Sequence, residues 1–166
     1  MRLYRLIRAP WVRHALTGEG ARRYGSRWNP KRVPMVYTAS TLSLAALETL
    51  AHFAIDTAPV DYVALTIRVP DSAVERVANK QLPANWYATP PPAGCQQMGA
   101  RWAAEAQSLG LAVPSAVVRS ETNILLNPLH PDFAKVTLEK QEPFLFDSRL
   151  GGVPSFRAKE SRMRDG

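Results

Sequence analysis

The chain has 166 residues, 46% apolar and 21% charged, with a formal net charge of +7. That length supports one domain with its own core, and no run approaches the ~20 apolar residues of a membrane span. A single cysteine, Cys95, excludes an internal disulfide framework and fits a reducing, cytoplasmic setting.

The charge is unevenly placed. Residues 1–32 hold nine Lys/Arg against one acid, Glu19, a balance of +8 that leaves −1 for the other 134 residues. Such a stretch suits nucleic acid, a phosphorylated ligand or an acidic protein partner, although it contains no recognised DNA-binding motif. The simplest placement of Arg2, Arg5, Arg8 and Arg13 is the wet side of a strand and loop. The same arginines interrupt any apolar run in MRLYRLIRAPWVRHA, so no secretory signal is expected there.

In chain order, Leu3–Ile7 predicts a short strand ended by Pro10. Thr17–Gly25, with three glycines, reads as a loop. Val33–Thr38 predicts a strand, and Ser40 or Thr41 an N-cap for a helix reaching about Phe53. Leu44, Leu47 and Ala51 are its expected core face, with Glu48 and His52 along the edge of that stripe. His52 is expected to hydrogen-bond Glu48 or a backbone carbonyl; three histidines and one cysteine assemble no metal site. Asp61–Val69 is the clearest strand, and Asp71–Ala78 a short helix or turn. Leu82–Gly94, rich in proline, reads as an ordered loop, and Gly99–Leu109 as a helix stopped by Gly110. LAVPSAVV, NILLNP, AKVTL and PFLFD then predict short strands, in which Asn123 and Asn127 are expected to fix the backbone. Residues 151–166 read as a basic tail, disordered or foreign to the domain. The pattern is that of an α+β domain over residues 1–150, with a mixed or antiparallel sheet and flanking helices.

Two residue types invite chemistry. Arg27, in a glycine-containing turn, offers a planar fork that suits a phosphate. Glu48, inside the apolar run LSLAALETLAH, is costly to bury and is either solvated or has a task. Neither GxGxxG nor GxxxxGK[ST] occurs, so a nucleotide would bind in another way. On the residues alone, Arg27 is equally a surface arginine, Glu48 a solvated helix residue, Tyr37 a core tyrosine and Ser115 a turn residue after proline.

GSRWNP, PMVYTASTLSLAALETLAH, VPSAVV, NILLNPLHPDF and FDSRL, in this order and spacing, resemble the RES-domain family over nearly the whole domain. The resemblance implies a fold similar to ADP-ribosyltransferases and a toxin of a toxin–antitoxin pair that acts on NAD+. It identifies the family's arginine with Arg27, its glutamate with Glu48 and its serine with Ser115, Ser120 being the alternative, and it adds Tyr37 to the site. Trp28 and Asn29 are expected to line the same pocket. It implies cleavage of the nicotinamide–ribose bond with water or phosphate as acceptor, or transfer of ADP-ribose to a protein, without a metal. In this reading Glu48 stabilises the cationic ribose, Arg27 clamps a phosphate, Tyr37 stacks on nicotinamide, and Ser115 contacts ribose or Glu48. The implied partner is an Xre-like DNA-binding antitoxin. A non-enzymatic module binding nucleic acid or protein through the basic stretch is the competing class.

Overall fold

A computed structural model describes residues 1–52, 61–147 and 150. The expected helix end at Phe53 and the tail over 151–166 lie outside the described residues. In chain order the elements are β1 (Arg2–Arg8), α1 (Glu19–Tyr24), β2 (Val36–Ala39), α2 (Leu42–Leu50), β3 (Tyr62–Arg68), β4 (Val74–Arg76), α3 (Ala93–Glu105), β5 (Gly110–Pro114), β6 (Thr122–Leu126) and β7 (Thr137–Phe144), with short 3-10 turns between them.

The strands form one mixed sheet in the order β4-β5-β6-β2-β1-β3-β7. Only β4 and β5 run parallel among these neighbours. Alternation supplies the pattern: Ile124 and Leu126 of β6 enter one core cluster, while Leu125 between them enters another on the opposite face. The α+β architecture with a mixed sheet is therefore as expected.

The sheet is divided at its centre. β1 pairs with β3 through seven consecutive partners, from Arg2–Arg68 to Arg8–Tyr62, but it meets β2 in register only at Tyr4–Ala39. On the β2 side, Val36 to Ala39 pair fully with Leu126 to Asn123. The two halves of the sheet thus part along β1 and β2, and this parting positions the site.

Several elements differ from the sequence reading. The expected loop at Thr17–Gly25 contains α1. Gly18 takes the left-handed conformation at its start, and Glu19 pairs with both Arg22 and Arg23 one turn on. β4 falls within the expected helix or turn at Asp71–Ala78, where Asp71–Ala73 forms the turn. α3 begins at Ala93 and stops at a left-handed Ala106, so Gly110 is no helix cap but the first residue of β5. Gly99 sits inside α3 because the helix crosses the Trp28 carbonyl so closely that a Cβ there would lie 1.8 Å from its oxygen. AKVTL and PFLFD do not form two strands: β7 runs through the polar EKQE between them, as an edge strand exposed along most of its length allows.

Candidate active site

The helix α2 starts where its sequence says: the Thr41 hydroxyl accepts the Leu44 N–H at 3.1 Å. Its buried stripe is not Leu44, Leu47 and Ala51. Leu44 and Ala45 pack against Leu6 and Ala39, while Leu47 is 40% exposed. The helix is rotated so that the position one turn after Leu44, Glu48, looks at the sheet. His52 Nδ1 lies 2.7 Å from the Glu48 carbonyl oxygen and donates to it, as expected.

At the sheet, Glu48 Oε1 accepts two hydrogen bonds, from Ser115 Oγ at 2.7 Å and from Asn123 Nδ2 at 2.5 Å. Oε2 takes none from the described residues. The donors come from the end of β5 and the start of β6, so one carboxylate oxygen is fixed by two neighbouring strands. Ser115 is itself held. It has no exposed surface, and its hydroxyl oxygen accepts the Val117 and Val118 amides at 3.0 and 2.9 Å. Its one proton is therefore committed to Glu48, and direct contact with a ligand is closed to it. Ser120 is exposed. Asn123 does more than fix the backbone: it aims Glu48.

Glu48 and Asn123 line a cavity of about 730 Å³ that also takes in Arg5, Arg8, Tyr37 and His52. This is within the range of about 300–1,000 Å³ for small-molecule sites. Arg5 was not expected there. It lies between Leu3 and Ile7 on the strand face that feeds the main core, and reaches into the gap between β1 and β2. Its Nη1 donates to the Tyr37 carbonyl at 2.6 Å, while its Nε is buried without a hydrogen-bond partner. Burial pulls the guanidinium down to about 10, so it remains a cation at neutral pH. A buried donor left unmade costs on the order of 1–3 kcal/mol. The period of two along LYRLI already puts Arg5 with Leu3 and Ile7; reading the arginines together as a wet face hid it.

The GSRWN turn meets the cavity through Gly25 and Ser26. Trp28 is 2% exposed and belongs to the core cluster beneath α3, and Asn29 has no exposed surface. Asn29 Nδ2 donates to the carbonyls of Ala21, Pro30 and Val33, and its Oδ1 accepts from the Tyr37 hydroxyl at 2.8 Å. These two residues build the turn and do not line the cavity. Arg27 lies outside the cavity wall as well: Nη1 donates to the carbonyls of Trp86 and Ala88 at 2.6 and 2.8 Å, tying down the proline-rich loop. Tyr37 does line the cavity, but its hydroxyl is engaged by Asn29 and by the Trp28 amide. Burial pushes that phenol up to about 12. Among the described residues no group of His, Cys, Asp and Glu is placed to hold a metal ion.

The fold of this divided mixed sheet is that of one toxin group, similar to ADP-ribosyltransferases, and it is the comparisons that show it. The profile of the RES domain matches residues 2–147. A "Toxin Res" of Photorhabdus laumondii is 40% identical over 151 residues, covering 90% of this chain and 97% of that one. A "Prs ADP-ribosylating toxin" of a Sphingobium species is 37% identical over 138 residues, covering 81% and 86%. Among solved structures, the M. tuberculosis MbcT-MbcA toxin-antitoxin complex contains a similar chain. Its TM-score is 0.66 at 25% identity, with 86% of this chain and 83% of that one covered. The chain belongs to the RES-domain family.

Proposed function

We propose that the protein is the toxin of a toxin–antitoxin pair, an enzyme that consumes NAD+ by cleaving its nicotinamide–ribose bond. The observation that carries this reading is Glu48: one oxygen is held by Ser115 and Asn123, and the other is free in a cavity that also presents a buried cation, Arg5.

The chemistry asks for little else. Nicotinamide is already cationic in NAD+, so it takes the bonding electron pair and leaves neutral without a general acid. Positive charge then develops on the ribose, as in other oxocarbenium-like glycosyl transfers. A carboxylate fixed beforehand opposes that charge without reorganising during the reaction. Glu48 takes this role, with Ser115 and Asn123 as positioning residues. The pyrophosphate meets Arg5, whose fork suits an anionic oxygen pair. The Tyr37 ring offers nicotinamide an apolar face; its hydroxyl belongs to the turn. Arg27 acts through the 86–88 loop that it ties. Water adding to the ribose carbon gives ADP-ribose, and inorganic phosphate gives the ribose phosphate ester.

A second reading, transfer of ADP-ribose to a protein, is favoured by the name of the Sphingobium relative. The partner in either case is an antitoxin, as for the similar chain crystallised in a toxin-antitoxin complex, and we take it to be an Xre-like DNA-binding protein. Action on the cell's own NAD+ puts the protein in the cytoplasm; among the described residues no helix is long and apolar enough to cross a membrane. Incubation with NAD+ alone, with phosphate, and with cell lysate separates the acceptors, nicotinamide release being followed by NMR. Release in buffer or with phosphate supports NAD+ degradation. Release only with lysate supports the protein acceptor, and no release in any arm refutes both.

A further inference from the structure

Resting on the NAD+ reading, we infer that Trp11 and Tyr24, two exposed aromatics on the wall of the same cavity, form a stacking subsite for the second base of the dinucleotide, the purine distal to the reacting bond. Trp11 is 56% exposed and Tyr24 77%, yet both line the same cavity as Glu48. They come from the 3-10 turn after β1 and from the end of α1. One exposed aromatic is ordinary, but two on the wall of one cavity form a patch that marks a binding site. Among the described residues, the ring contact of Trp11 is a tilted one with His14, ring centroids 6.4 Å apart.

The length of the cavity selects the ligand. Tyr4, Ala39 and Asn123 lie in one row across β1, β2 and β6, and Asn123 holds Glu48. From Tyr4 the cavity wall follows β1 without a break through Arg8 and continues to Trp11. Four residues of strand span about 13 Å, so this wall gives room along β1 for more than one nucleotide. Two arginines of β1 line this wall, Arg5 from the strand face of Leu3 and Ile7 and Arg8 from the face of Tyr4 and Leu6. A carboxylate, a cation and an aromatic platform lining one cavity match a ribose, a pyrophosphate and a base. A mononucleotide would leave part of that wall empty. A base has a π-face whatever its edge, so stacking recognises the purine without hydrogen bonds.

The test compares NAD+ with nicotinamide mononucleotide, and adds ADP-ribose binding by calorimetry so that it does not depend on turnover. Trp11→Ala should raise KM for NAD+ about tenfold relative to its effect on the mononucleotide, the loss typical of removing one base–aromatic stack. Trp11→Phe should restore most of it, and Tyr24→Ala should act in the same direction. ADP-ribose affinity should fall in parallel. A Trp11→Ala enzyme that shifts both substrates equally, or neither, overturns the subsite, as does unchanged ADP-ribose affinity. A wild type that binds ADP-ribose through Trp11 but releases no nicotinamide keeps the subsite and refutes the NAD+-cleaving reading instead. A variant that loses only antitoxin neutralisation, with both kinetic ratios intact, assigns the rim to the partner and overturns the proposal.

Discussion

At the scale of the residue, the account turns on how few polar groups are free. Ser115 has given up its proton to Glu48 and its lone pairs to two amides. Ser115→Ala should therefore lower kcat much more than it raises KM, because it releases the carboxylate without touching the substrate. It should also cost on the order of 1–3 kcal/mol of stability, since the Val117 and Val118 amides lose a partner; urea melts of the purified variant check this. Tyr37 provides a second test. Its folded pKa of about 12 lies above the usual value near 10, so the unfolded chain loses the phenol proton first. Its contribution should be intact below pH 10 and lost as pH rises from 10 through 12. Arg5, pulled down to about 10, acts with the opposite sign over the same window. The measurement is therefore the difference in stability between wild type and Tyr37→Phe from pH 9 to 12, which should shrink. A constant difference would contradict the assignment.

At the scale of the element, two contacts decide whether the site is held in place. α3 packs on the GSRWN turn only because residue 99 lacks a side chain. Gly99→Ala should lower the thermal midpoint severely or prevent folding, although alanine is the better helix former; a midpoint equal to wild type would show that the crossing can relax. Arg27 ties the loop through one nitrogen, Nη1, to two carbonyls. A lysine supplies donors of the same kind, so Arg27→Lys should retain more nicotinamide release than Arg27→Ala. Equal and complete loss in both would return Arg27 to the role of a bidentate phosphate clamp. This is also the scale at which the sequence was least informative. Strands β1, β2, β3, β5 and β6 announce themselves by alternation and breakers, as does the Thr41 cap. The sequence carries no cue that α3 must pass within van der Waals range of Trp28, so Gly99 looked like a beginning, and Gly110 like an end. The phase of α2 was misread for a related reason. A glutamate held by a serine 67 positions away and an asparagine 75 away is placed in a way no local pattern records.

At the scale of the whole molecule, the basic excess of the first 32 residues is thinner than its count. Arg22 and Arg23 share Glu19, Arg2 reaches Glu139, and Arg5 and Arg27 turn inward. The surface left is a poor footprint for DNA, and a random duplex should show no binding that survives 200 mM salt, whether Glu48 is present or not; salt-resistant binding would favour the binding-module class. What does bring the distant parts together is the division of the sheet, which gathers β1, β2, α1 and α2 around one cavity. The family motifs led to Glu48, Tyr37 and Ser115, while Arg5 required the three-dimensional structure, because its meaning lies in a missing hydrogen bond. The measurement that tests the central claim most directly is nicotinamide release from NAD+ by wild type and by Glu48→Gln, with folding of the variant verified by its circular dichroism and melting point. The substitution keeps the size and removes the charge. Release by the wild type that falls at least a hundredfold in a folded Glu48→Gln is the expected result. A folded Glu48→Gln that releases nicotinamide at the wild-type rate would contradict the assignment of this carboxylate, and with it the account of the cavity.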